Sequence, residues 1–472
     1  MKAVGLVTEY NPFHNGHMLH LQKSMELSGA DVSVAVMSGD FVQRGEPAVM
    51  DKYTRARIAV DCGVNLVVEL PVKFALANAE QFATGAVFTL NALGVDSMCF
   101  GSESGSVREL DYIADVLANE SDLYQLALKK ELRSGASFPL ARENAIGTMN
   151  IMDRELLHDI LSSPNNILAI EYLKAAKRHA CPITPYTFKR AGMGYNDLFT
   201  AQNADSEYAS AEALRNEIKR YCLAMEDLAS DIGNEDTDYY DSMIFETNDI
   251  LQNIIKYIPE AAQDTFLGEM DKNMPVYKED FNGVFNAKLK KILRDCSYDR
   301  RKAAEVLLKY DGFNPNLANR VMNKYDKYYD LDEFIDLLND KSSTYTAISR
   351  ALFKFILGHK KNTRSLVDGT DIENEAFDED IENMLDNYKY TDISYVRILA
   401  LDDKGMEYLG GIRKTATVPF ITKTAGYGEV LSDDIYASDL YNLAVWEVFE
   451  ETLPDEFHRG VYIKGKGFTG TV

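Results

Sequence analysis

The sequence predicts an α/β protein whose N-terminal part is a Rossmann-like, mostly parallel sheet covered by helices. Short apolar runs of strand length alternate with helical segments in the N-terminal region. Such alternation is typical of βαβ units and a parallel sheet. Glycine and polar residues directly follow the strands, and parallel sheets bind ligands beyond the carboxyl ends of their strands. We therefore expect a ligand crevice at that edge.

The first of these units opens the chain. Ala3 to Val7 has the length and apolar character of a strand, and the Asn11-Pro12 pair prevents its continuation. His14-Asn15-Gly16-His17 comes next, and Met18 to Leu27 has helical periodicity. The two histidines therefore lie where a strand leads into a helix N-terminus, which has free backbone N–H groups and the positive end of the helix dipole.

This position favours a phosphate group. Gly16 has no side chain to block close approach, and His14 and His17 can donate hydrogen bonds to phosphate oxygens as charge builds on them. The H-x-G-H pattern resembles the signature with which class I aminoacyl-tRNA synthetases and nucleotidyltransferases bind ATP. The alternative is a pair of surface histidines that cap the helix, although two of only seven histidines fall on this turn.

The next elements repeat the pattern. The predicted strands are Val32–Met37, which ends in Ser38-Gly39-Asp40, Val64–Leu70, and Val95–Phe100, which ends in Gly101-Ser102-Glu103. A loop is expected over 41–48. The predicted helices run from the N-cap Asp51 to about Cys62, from Asn78 to Leu93, and onward from about Val107. We expect the HNGH turn, Ser38-Gly39-Asp40 and Gly101-Ser102 to meet in one crevice, because they follow parallel strands.

Two further phosphate-ligand candidates accompany the end of this region. The sequence predicts mostly helix from Asp122 to Leu161, a helix at Ile167–Arg178, a strand at Ile183–Phe188 and a helix within 206–221. Lys189-Arg190 follows the strand, and Ser210 stands at a helix start with Arg215 five residues on. The alternatives are a solvated basic pair and an ordinary N-cap.

Six segments carry a more specific resemblance. They are GLVTEYNPFHNGH (Gly5–His17), SGDFVQRGEPA (Ser38–Ala48), DKYTRA (Asp51–Ala56), VVELP (Val67–Pro71), SPNNILAIEYLKA (Ser163–Ala175) and FKRAGMGYND (Phe188–Asp197). With them, the chain resembles the bacterial tRNA(Met) cytidine acetate ligase family over most of residues 1–220. Ala209–Arg215 is similar to a degenerate I-S-S-T-x-x-R motif of nucleotidyltransferases. Ser210 and Arg215 match that motif, whereas Ala211-Glu212 replaces Ser-Thr.

The resemblance implies an ATP-dependent ligase. That family activates acetate with ATP to acetyl-adenylate and pyrophosphate, then passes the acetyl group to N4 of the wobble cytidine of elongator tRNA(Met). Carried over position by position, it implies ATP contacts at Val7, Thr8, Glu9, Tyr10, Asn11, Pro12, Phe13, His14, Asn15, Gly16, His17, Met18, Leu19, His20, Gly101, Asn166 and Arg190, with Asn165 and Lys189 beside them.

These residue types suit the implied chemistry. Acetate is a weak nucleophile that must attack a negatively charged α-phosphate, so positive charge and fixed donors matter more than a general base. We expect His14 and His17 to be the catalytic residues, which stabilise the transition state at the α-phosphate. We expect Arg190 to hold phosphate. Mg²⁺ is expected to neutralise the charge of pyrophosphate without a dedicated protein ligand. Further candidates for acetate, pyrophosphate or cytidine contacts, with solvated charge as the alternative, are Arg44, Lys52 and Arg55.

Composition limits the other possibilities. The 472 residues suffice for two or three domains. No apolar run approaches the roughly 18 residues of a membrane span, and the first strand begins at once, so we expect neither a membrane segment nor a signal peptide. Five scattered cysteines suit a reducing cytoplasm. The net charge of −24 favours a small-molecule enzyme, because the global field repels a polyanion.

We predict three regions: a nucleotidyltransferase-like ATP-binding domain at 1–222, a helical tRNA-binding region at 223–365 and a small α/β region at 366–472. Clustered cations interleaved with tyrosines favour an RNA-facing surface in the second region, and a solvated basic face is the alternative. The cations are Lys288, Lys290, Lys291, Arg294, Arg300, Arg301, Lys302 and Lys309, with more in 320–327 and 350–361. The region departs from the family at Ser343-Thr344, where a Lys-Arg pair is expected.

The remaining expectations concern the second half of the chain. We expect helices over Lys288–Lys309 and over Tyr436–Glu451, the latter with Trp446 in the core. Acidic linkers or exposed helix are expected at Glu226–Asp241 and Asp368–Asp386, and a disordered tail at Lys464–Gly467. A strand, a helix and a strand are expected at Tyr395–Leu401, Gly405–Ile412 and Pro419–Thr424.

Two other functions stay open. A plain adenylyltransferase that joins AMP to a small phosphate-bearing acceptor explains the HNGH turn and the acidic charge, but it leaves the C-terminal half without a task. A nucleotide-binding RNA adaptor without turnover is allowed by Ala211-Glu212 and opposed by the intact His14 and His17.

Overall fold

The structure is a computed structural model that describes residues 1–190, 208–230, 237–270, 272–340, 343–361 and 393–469. Within these ranges the chain forms a large, mostly parallel sheet with helices packed on both faces, together with a helical region. The predicted Rossmann-like α/β fold is confirmed.

The N-terminal region alternates strands and helices as predicted, and the ends of these elements fall within a few residues of the expected ones. The expected loop over 41–48 differs, because it forms a short antiparallel hairpin. Its strands are β1 (Ala3–Thr8), β2 (Val32–Ser38), β3 (Phe41–Val42), β4 (Glu46–Pro47), β5 (Leu66–Leu70), β6 (Ser97–Ser102) and β7 (Thr184–Lys189). Its helices are α1 (Asn15–Ser28), α2 (Lys52–Asp61), α3 (Val72–Ala75), α4 (Ala79–Ala92), α5 (Val107–Asn119), α6 (Asp122–Arg133), α7 (Phe138–Gly147), α8 (Arg154–Ser162) and α9 (Pro164–Arg178). Asp51 caps α2 through its side chain, as predicted.

A helical region follows. Its elements are α10 (Ala211–Ser230), α11 (Thr237–Ile255), α12 (Glu260–Glu269), a 3₁₀ turn (Lys278–Phe281), α13 (Asn282–Asp295), α14 (Arg300–Leu307), α15 (Pro315–Lys324), α16 (Leu331–Leu338) and α17 (Tyr345–Leu357). The expected helix over Lys288–Lys309 is interrupted, because Ser297 and Tyr298 adopt positive φ angles of 54° and 59° that end α13. The acidic stretch from Glu226 is helical as far as Ser230, and residues 231–236 lie outside the described ranges.

The C-terminal part returns to the sheet. Its elements are β8 (Val396–Leu401), α18 (Asp403–Ile412), β9 (Phe420–Ile421), α19 (Ser432–Phe449), β10 (Tyr462–Ile463) and β11 (Gly467–Phe468). The predicted strand, helix and strand are confirmed as β8, α18 and β9. The two strands extend the N-terminal sheet, because β8 pairs antiparallel with β5 and β9 pairs with β8. The domain boundaries stay predictions, and Asp368–Asp386 lies outside the described residues.

In the part of the chain that the structure describes, the large sheet has nine strands in the order β11-β10-β8-β5-β2-β1-β6-β7, with β9 paired to β8. The central strand β1 runs parallel to both neighbours, with Ala3 opposite Val32 and Val4 opposite Ser97. The carboxyl ends of β2, β1, β6 and β7 therefore share one edge.

Alternate residues of β2 show why the sheet is buried on both faces. Val34 and Val36 join a cluster with α4, α5 and α9, whereas Ala35 and Met37 join a cluster with α2 on the other face. This arrangement is typical of a parallel sheet between helix layers. Phe41 of β3 belongs to a third cluster, which holds the helical region. No helix among the described residues has the length and apolar character needed to cross a membrane.

Two expectations for the C-terminus are wrong. Trp446 is 53% exposed, because it lies on the outer side of α19 while Tyr441 and Val445 are buried. The tail at Lys464–Gly467 is ordered as the turn of the β10–β11 hairpin, and β10 pairs with β8. The second outcome depends on β8, a partner that is distant in sequence.

Candidate active site

A cavity of about 230 Å³ opens at the carboxyl edge of the sheet. It is lined by most of the residues predicted to bind ATP: Val7, Thr8, Glu9, Tyr10, Asn11, His14, Gly16, His17, Leu19, His20, Gly101 and Arg190. Its lining also includes four additional candidates: Arg44, Asn165, Ser210 and Arg215. The topology thus brings residues from six separate segments of the chain to one crevice.

The loop after β1 is held in an uncommon conformation. Tyr10 has a φ of 50°, in the left-handed region, which a non-glycine residue keeps only where its surroundings fix it. Its side chain is buried and packs on the rings of Phe13 and His17, with centroid distances of 4.7 Å and 5.0 Å. Asn11 Oδ1 accepts a hydrogen bond from the Val49 N–H at 2.8 Å. These contacts fix the entry into the HNGH turn.

Arg55 holds the same loop from behind. It is fully buried, and its Nη1 donates to the Glu9 carbonyl at 2.6 Å and to the Ser38 carbonyl at 3.1 Å. Nη2 donates to the Gly39 carbonyl. Arg55 therefore ties the ends of β1 and β2 together. The expectation that it contacts a substrate is not supported by this placement, because backbone carbonyls engage its donors.

His14 and His17 form a capping box at the start of α1. The Gly16 N–H donates to His14 Nδ1 at 3.0 Å, and the His14 N–H donates to His17 Nδ1 at 3.3 Å. The ring centroids lie 4.0 Å apart. Asn15 anchors the turn through its N–H, which donates to the Tyr257 carbonyl at 2.8 Å. Both imidazoles are thereby fixed in position.

These caps determine which ring nitrogen carries the proton. Because Nδ1 accepts a hydrogen bond in each ring, the neutral imidazole holds its proton on Nε2, which is then a donor. Burial, with Arg190 and Arg215 nearby, lowers the pKa of His14 to about 3. Burial and the proximity of His14 likewise lower the pKa of His17 well below its ordinary value. Near pH 7 both rings are neutral N–H donors.

Gly16 is required by the ring of His14. A Cβ at this position would lie 2.7 Å from His14 Cε1 and 2.9 Å from Nδ1, which is closer than non-bonded atoms approach. Any side chain here would displace the imidazole. The glycine therefore permits the capping geometry as well as close approach of a ligand.

The opposite wall comes from β6, β7 and the start of α9. Arg190 Nη1 donates to Asn165 Oδ1 at 3.3 Å, and Asn165 Nδ2 donates to Glu103 Oε1 at 2.7 Å. The Arg190 side chain crosses Gly101, where a Cβ would lie 3.0 Å from Arg190 Cγ. The guanidinium is thus held at the cavity, where it suits an anion.

The third side is the start of α10. Arg215 Nη1 donates to the Asn11 carbonyl at 3.0 Å, and its Nη2 lies 3.5 Å from Glu212 Oε2. Glu212 also pairs with Arg44. Ser210 accepts a hydrogen bond from a backbone N–H of α10, so its contact is that of an N-cap. Glu212, one of the two residues that depart from the nucleotidyltransferase motif, therefore partly offsets the positive charge of two arginines.

Some predicted contacts lie beside the cavity rather than on it: Pro12, Phe13, Asn15, Met18, Asn166 and Lys189. Phe13 and Met18 pack into the core. Asn166 is 2% exposed, and its Oδ1 accepts a hydrogen bond from the Glu103 N–H at 3.0 Å, so it fixes the loop after β6. Lys189 alternates with Phe188 and Arg190 along the strand and so lies on the other face.

Lys52 is also withdrawn from the cavity. It is 1% exposed, and its Nζ lies 2.7 Å from Glu69 Oε1, 2.8 Å from Glu456 Oε1 and 3.8 Å from Asp40 Oδ2. The expectation that it binds a substrate is not supported by this placement. The physical reason is a buried charge network that is completed from the far end of the chain.

The aromatic walls of the cavity were not predicted from the sequence. Phe100 and Tyr172 lie 5.9 Å apart between ring centroids, and Phe188 lies 5.7 Å from the ring of His20. All of them line the cavity. Phe100 and Phe188 are located at the carboxyl ends of β6 and β7, and that position was the available signal. Such surfaces suit a planar base.

The site therefore combines neutral N–H donors at a helix N-terminus, three arginines and aromatic walls. These features suit a nucleotide whose phosphates lie at the turn and whose base lies on the aromatic side. The fold and the site define a HIGH-type nucleotidyltransferase, and the family described as HIGH Nucleotidyl Transferase matches residues 1–453.

Within this class, the chain belongs to the tRNA(Met) cytidine acetate ligase family. It is 34% identical to the tRNA(Met) cytidine acetate ligase of Thermoanaerobacter sp. strain X514, over 94% of this chain and 96% of that relative. It is also 34% identical to the tRNA(Met) cytidine acetate ligase of Acetivibrio thermocellus, over 93% and 94%. The resemblance found in the sequence is confirmed.

A solved structure agrees along almost the whole chain. The crystal structure of Thermotoga maritima TmcAL bound with alpha-thio ATP matches with a TM-score of 0.76 at 29% identity, over 98% of this chain and 99% of that chain. The apo form of the same protein matches with a TM-score of 0.79 at 28% identity. This relative binds an ATP analogue on the same fold.

Proposed function

We propose that this protein is an ATP-dependent acetate ligase that forms acetyl-adenylate and acetylates N4 of the wobble cytidine of elongator tRNA(Met). One observation carries the first step: the Nε2–H donors of His14 and His17 are fixed at the N-terminus of α1, in a crevice that also holds Arg190. Membership of the acetate ligase family supports the acceptor. An activity that uses ATP and tRNA belongs to the cytoplasm.

In the first step, an acetate oxygen attacks the α-phosphorus of ATP, the bond to the bridging oxygen breaks, and pyrophosphate leaves. Negative charge grows on the α-phosphate oxygens in the transition state. The donors of His14 and His17 are oriented before the reaction, so they stabilise this charge without reorganising. Arg190 and Arg215 add positive charge at the cavity.

Mg²⁺ accompanies the nucleotide in this proposal. Among the described residues, no group of three or more His, Cys, Asp or Glu side chains is arranged to hold a metal ion. A Mg²⁺ ion commonly binds through substrate phosphates and water instead of an all-protein cage. We therefore assign it to the triphosphate oxygens, where it would offset their charge, and assign no protein ligand to it.

In the second step, the cytidine N4 amine attacks the acetyl carbon. An N–C bond forms, the C–O bond to the phosphate breaks, AMP leaves and N4 releases one proton to water. The acetyl group is already activated, so no covalent enzyme intermediate is needed. This explains why the cavity functions without a cysteine or serine nucleophile among its assigned catalytic groups.

The RNA would meet the basic face of α13 and α14. Six of the predicted cations on these helices are exposed: Lys290, Lys291, Arg294, Arg300, Arg301 and Lys302. Other predicted cations are directed into the structure, since Lys288 donates to the Phe355 carbonyl and Lys354 pairs with Asp311. Reversing Arg301 and Lys302 to Glu should weaken tRNA binding at low salt and leave ATP binding unchanged, which filter binding measures.

The test of the proposed function is transfer of radiolabelled acetate to RNA. The protein is incubated with ATP, Mg²⁺ and either tRNA(Met) or a tRNA pool that lacks it. We expect ATP-dependent label on tRNA(Met) alone. Pyrophosphate release without labelled tRNA would contradict the acceptor and favour a small-molecule adenylyltransferase. An absence of turnover in both would contradict the enzyme assignment.

A further inference from the structure

A second cavity, of about 410 Å³, adjoins the nucleotide cavity. The two cavities share the side chains of Arg44, Glu212 and Arg215. The second cavity lies between the β3–β4 hairpin, α10, the 3₁₀ turn, α16 and the start of α17. A group bound there would therefore lie next to the phosphate end of the nucleotide site.

The charges around the second cavity are mixed. Its cations are Arg44, Arg215, Lys219 and Lys278, and its carboxylates are Glu46, Glu212, Glu279, Asp332 and Asp336. Four cations against five carboxylates do not favour pyrophosphate or a second nucleotide phosphate. They favour an uncharged ligand that carries both hydrogen-bond donors and acceptors.

Lys278 is the centre of the polar lining. Its Nζ donates to Asp332 Oδ1 at 2.7 Å and to the Tyr345 hydroxyl at 2.8 Å. The same ammonium lies 3.6 Å from Glu46 Oε2 and 4.9 Å from the centre of the Tyr345 ring. The two hydrogen bonds hold the Tyr345 ring and the Asp332 carboxylate in fixed positions at the cavity.

Glu46 lines the second cavity, next to the shared Arg215, and is under-satisfied. Its contacts with Arg215 and Lys278 are long, at 3.4 Å and 3.6 Å. Within the described residues, the buried Oε1 has no hydrogen-bond partner. A buried carboxylate oxygen without a hydrogen bond is unfavourable, so a ligand that brings an N–H group is favoured here.

Two tyrosine rings complete the walls. Tyr277 and Tyr345 both line the cavity, from the 3₁₀ turn and from the first residue of α17. Aromatic walls beside mixed polar groups are the usual surroundings of a single unpaired base. The volume lies in the range of small-ligand sites.

We propose that this second cavity binds the unpaired cytosine of the RNA, with Glu46 accepting a hydrogen bond from its N4 amine and Tyr345 contacting its ring. Carboxylates are the groups that accept from cytosine N4. The shared residues Arg44 and Arg215 place that amine beside the acyl phosphate formed in the first cavity. This inference rests on the proposed function and adds the acceptor subsite to it.

Tyr345→Ala is the first test, with Tyr345→Phe as its matched variant. Loss of the ring should lower kcat/KM for acetyl transfer to tRNA(Met) by about 5- to 150-fold, the range for one base–aromatic contact. Tyr345→Phe, which keeps the ring, should retain most of the activity. Acetate-dependent exchange of labelled pyrophosphate into ATP reports the first step separately and should stay at the wild-type rate. Tyr329→Ala, at a tyrosine that is 90% exposed, serves as the control.

Base recognition by Glu46 gives the second test. The wild type should bind tRNA(Met) more tightly than the same tRNA with uridine at the wobble position, by about tenfold. Glu46→Ala should remove this preference, and Glu46→Gln, which keeps an acceptor oxygen, should retain part of it. An unchanged preference in Glu46→Ala, or transfer at the wild-type rate by Tyr345→Ala, would overturn the subsite. Failure of the proposed function is distinguishable, because the wild type itself would then transfer no acetate.

Discussion

His14 combines two tasks in one side chain. Nδ1 accepts the Gly16 N–H and caps α1, and this same bond leaves the proton on Nε2 for a ligand. Capping and catalysis can therefore be separated by a residue that caps well and lacks the second donor. Asparagine is such a residue, because its side-chain oxygen is among the best N-caps.

We expect His14→Asn to lose acetate-dependent pyrophosphate exchange by about 10²- to 10³-fold, the usual effect of removing one transition-state donor. The melting temperature should stay close to that of the wild type, because the cap remains. Steady-state exchange and thermal unfolding measure the two effects. His158→Asn, at an exposed histidine outside the cavity, is the matched control. Normal exchange in His14→Asn would remove this residue from the mechanism.

The same histidine makes stability depend on pH. Burial lowers the pKa of His14 from 6.5 to about 3, so between these values the unfolded state binds a proton that the folded state does not. The stability that the neutral ring contributes is present above pH 6.5 and is lost as the pH falls towards 3. From pH 6.5 to 4.5 the wild type should lose about 2 kcal/mol more than His14→Asn. Urea unfolding at the two pH values tests this, and equal losses would contradict a neutral buried His14.

At the scale of elements, the first turn of α1 depends on the absence of a Cβ at residue 16. Gly16→Ala should improve helix propensity yet push the His14 ring from its cap, because the new Cβ would lie 2.7 Å from Cε1. We expect pyrophosphate exchange to fall at least tenfold, as expected for a misplaced donor, while the melting temperature stays near that of the wild type. Gly268→Ala, in α12 with nothing within 4 Å of the new Cβ, is the control. Full activity in Gly16→Ala would contradict the ring's placement.

The structure around this turn could largely be predicted from the sequence. The strand β1, the break at Asn11-Pro12 and the helix after His14 depend on local pattern and turn chemistry, so they could be predicted. The crevice followed from the parallel order of the strands. Lys52 and Arg55 could not be placed, because a helix with cations has the same local pattern whether it faces solvent or a buried network.

At the scale of the whole molecule, the end of the chain completes the core of its beginning. The buried carboxylate of Glu456 contacts Lys52, Arg397 and the Tyr53 hydroxyl. Although burial opposes ionisation, Lys52 and Arg397 hold the pKa of Glu456 well below its usual range. These partners come from opposite ends of the chain, which is why no local signal predicted them.

Glu456→Ala should therefore leave two buried cations without their main partner. Breaking a buried pair in this way usually costs about 3–5 kcal/mol, so we expect a large drop in melting temperature. Glu451→Ala, at an exposed residue of the same segment, should have little effect. Similar melting temperatures for the two variants would show that the network does not stabilise the fold.

The HNGH turn promotes attack of acetate on the α-phosphorus of ATP in the proposed reaction. Acetate labelled with oxygen-18 in both carboxylate positions, reacted with ATP, Mg²⁺ and tRNA(Met), tests this directly by mass spectrometry of the products. We expect one labelled oxygen in AMP, because the attacking oxygen stays on the α-phosphate when the acetyl group is transferred. Unlabelled AMP, or label in inorganic phosphate, would contradict it.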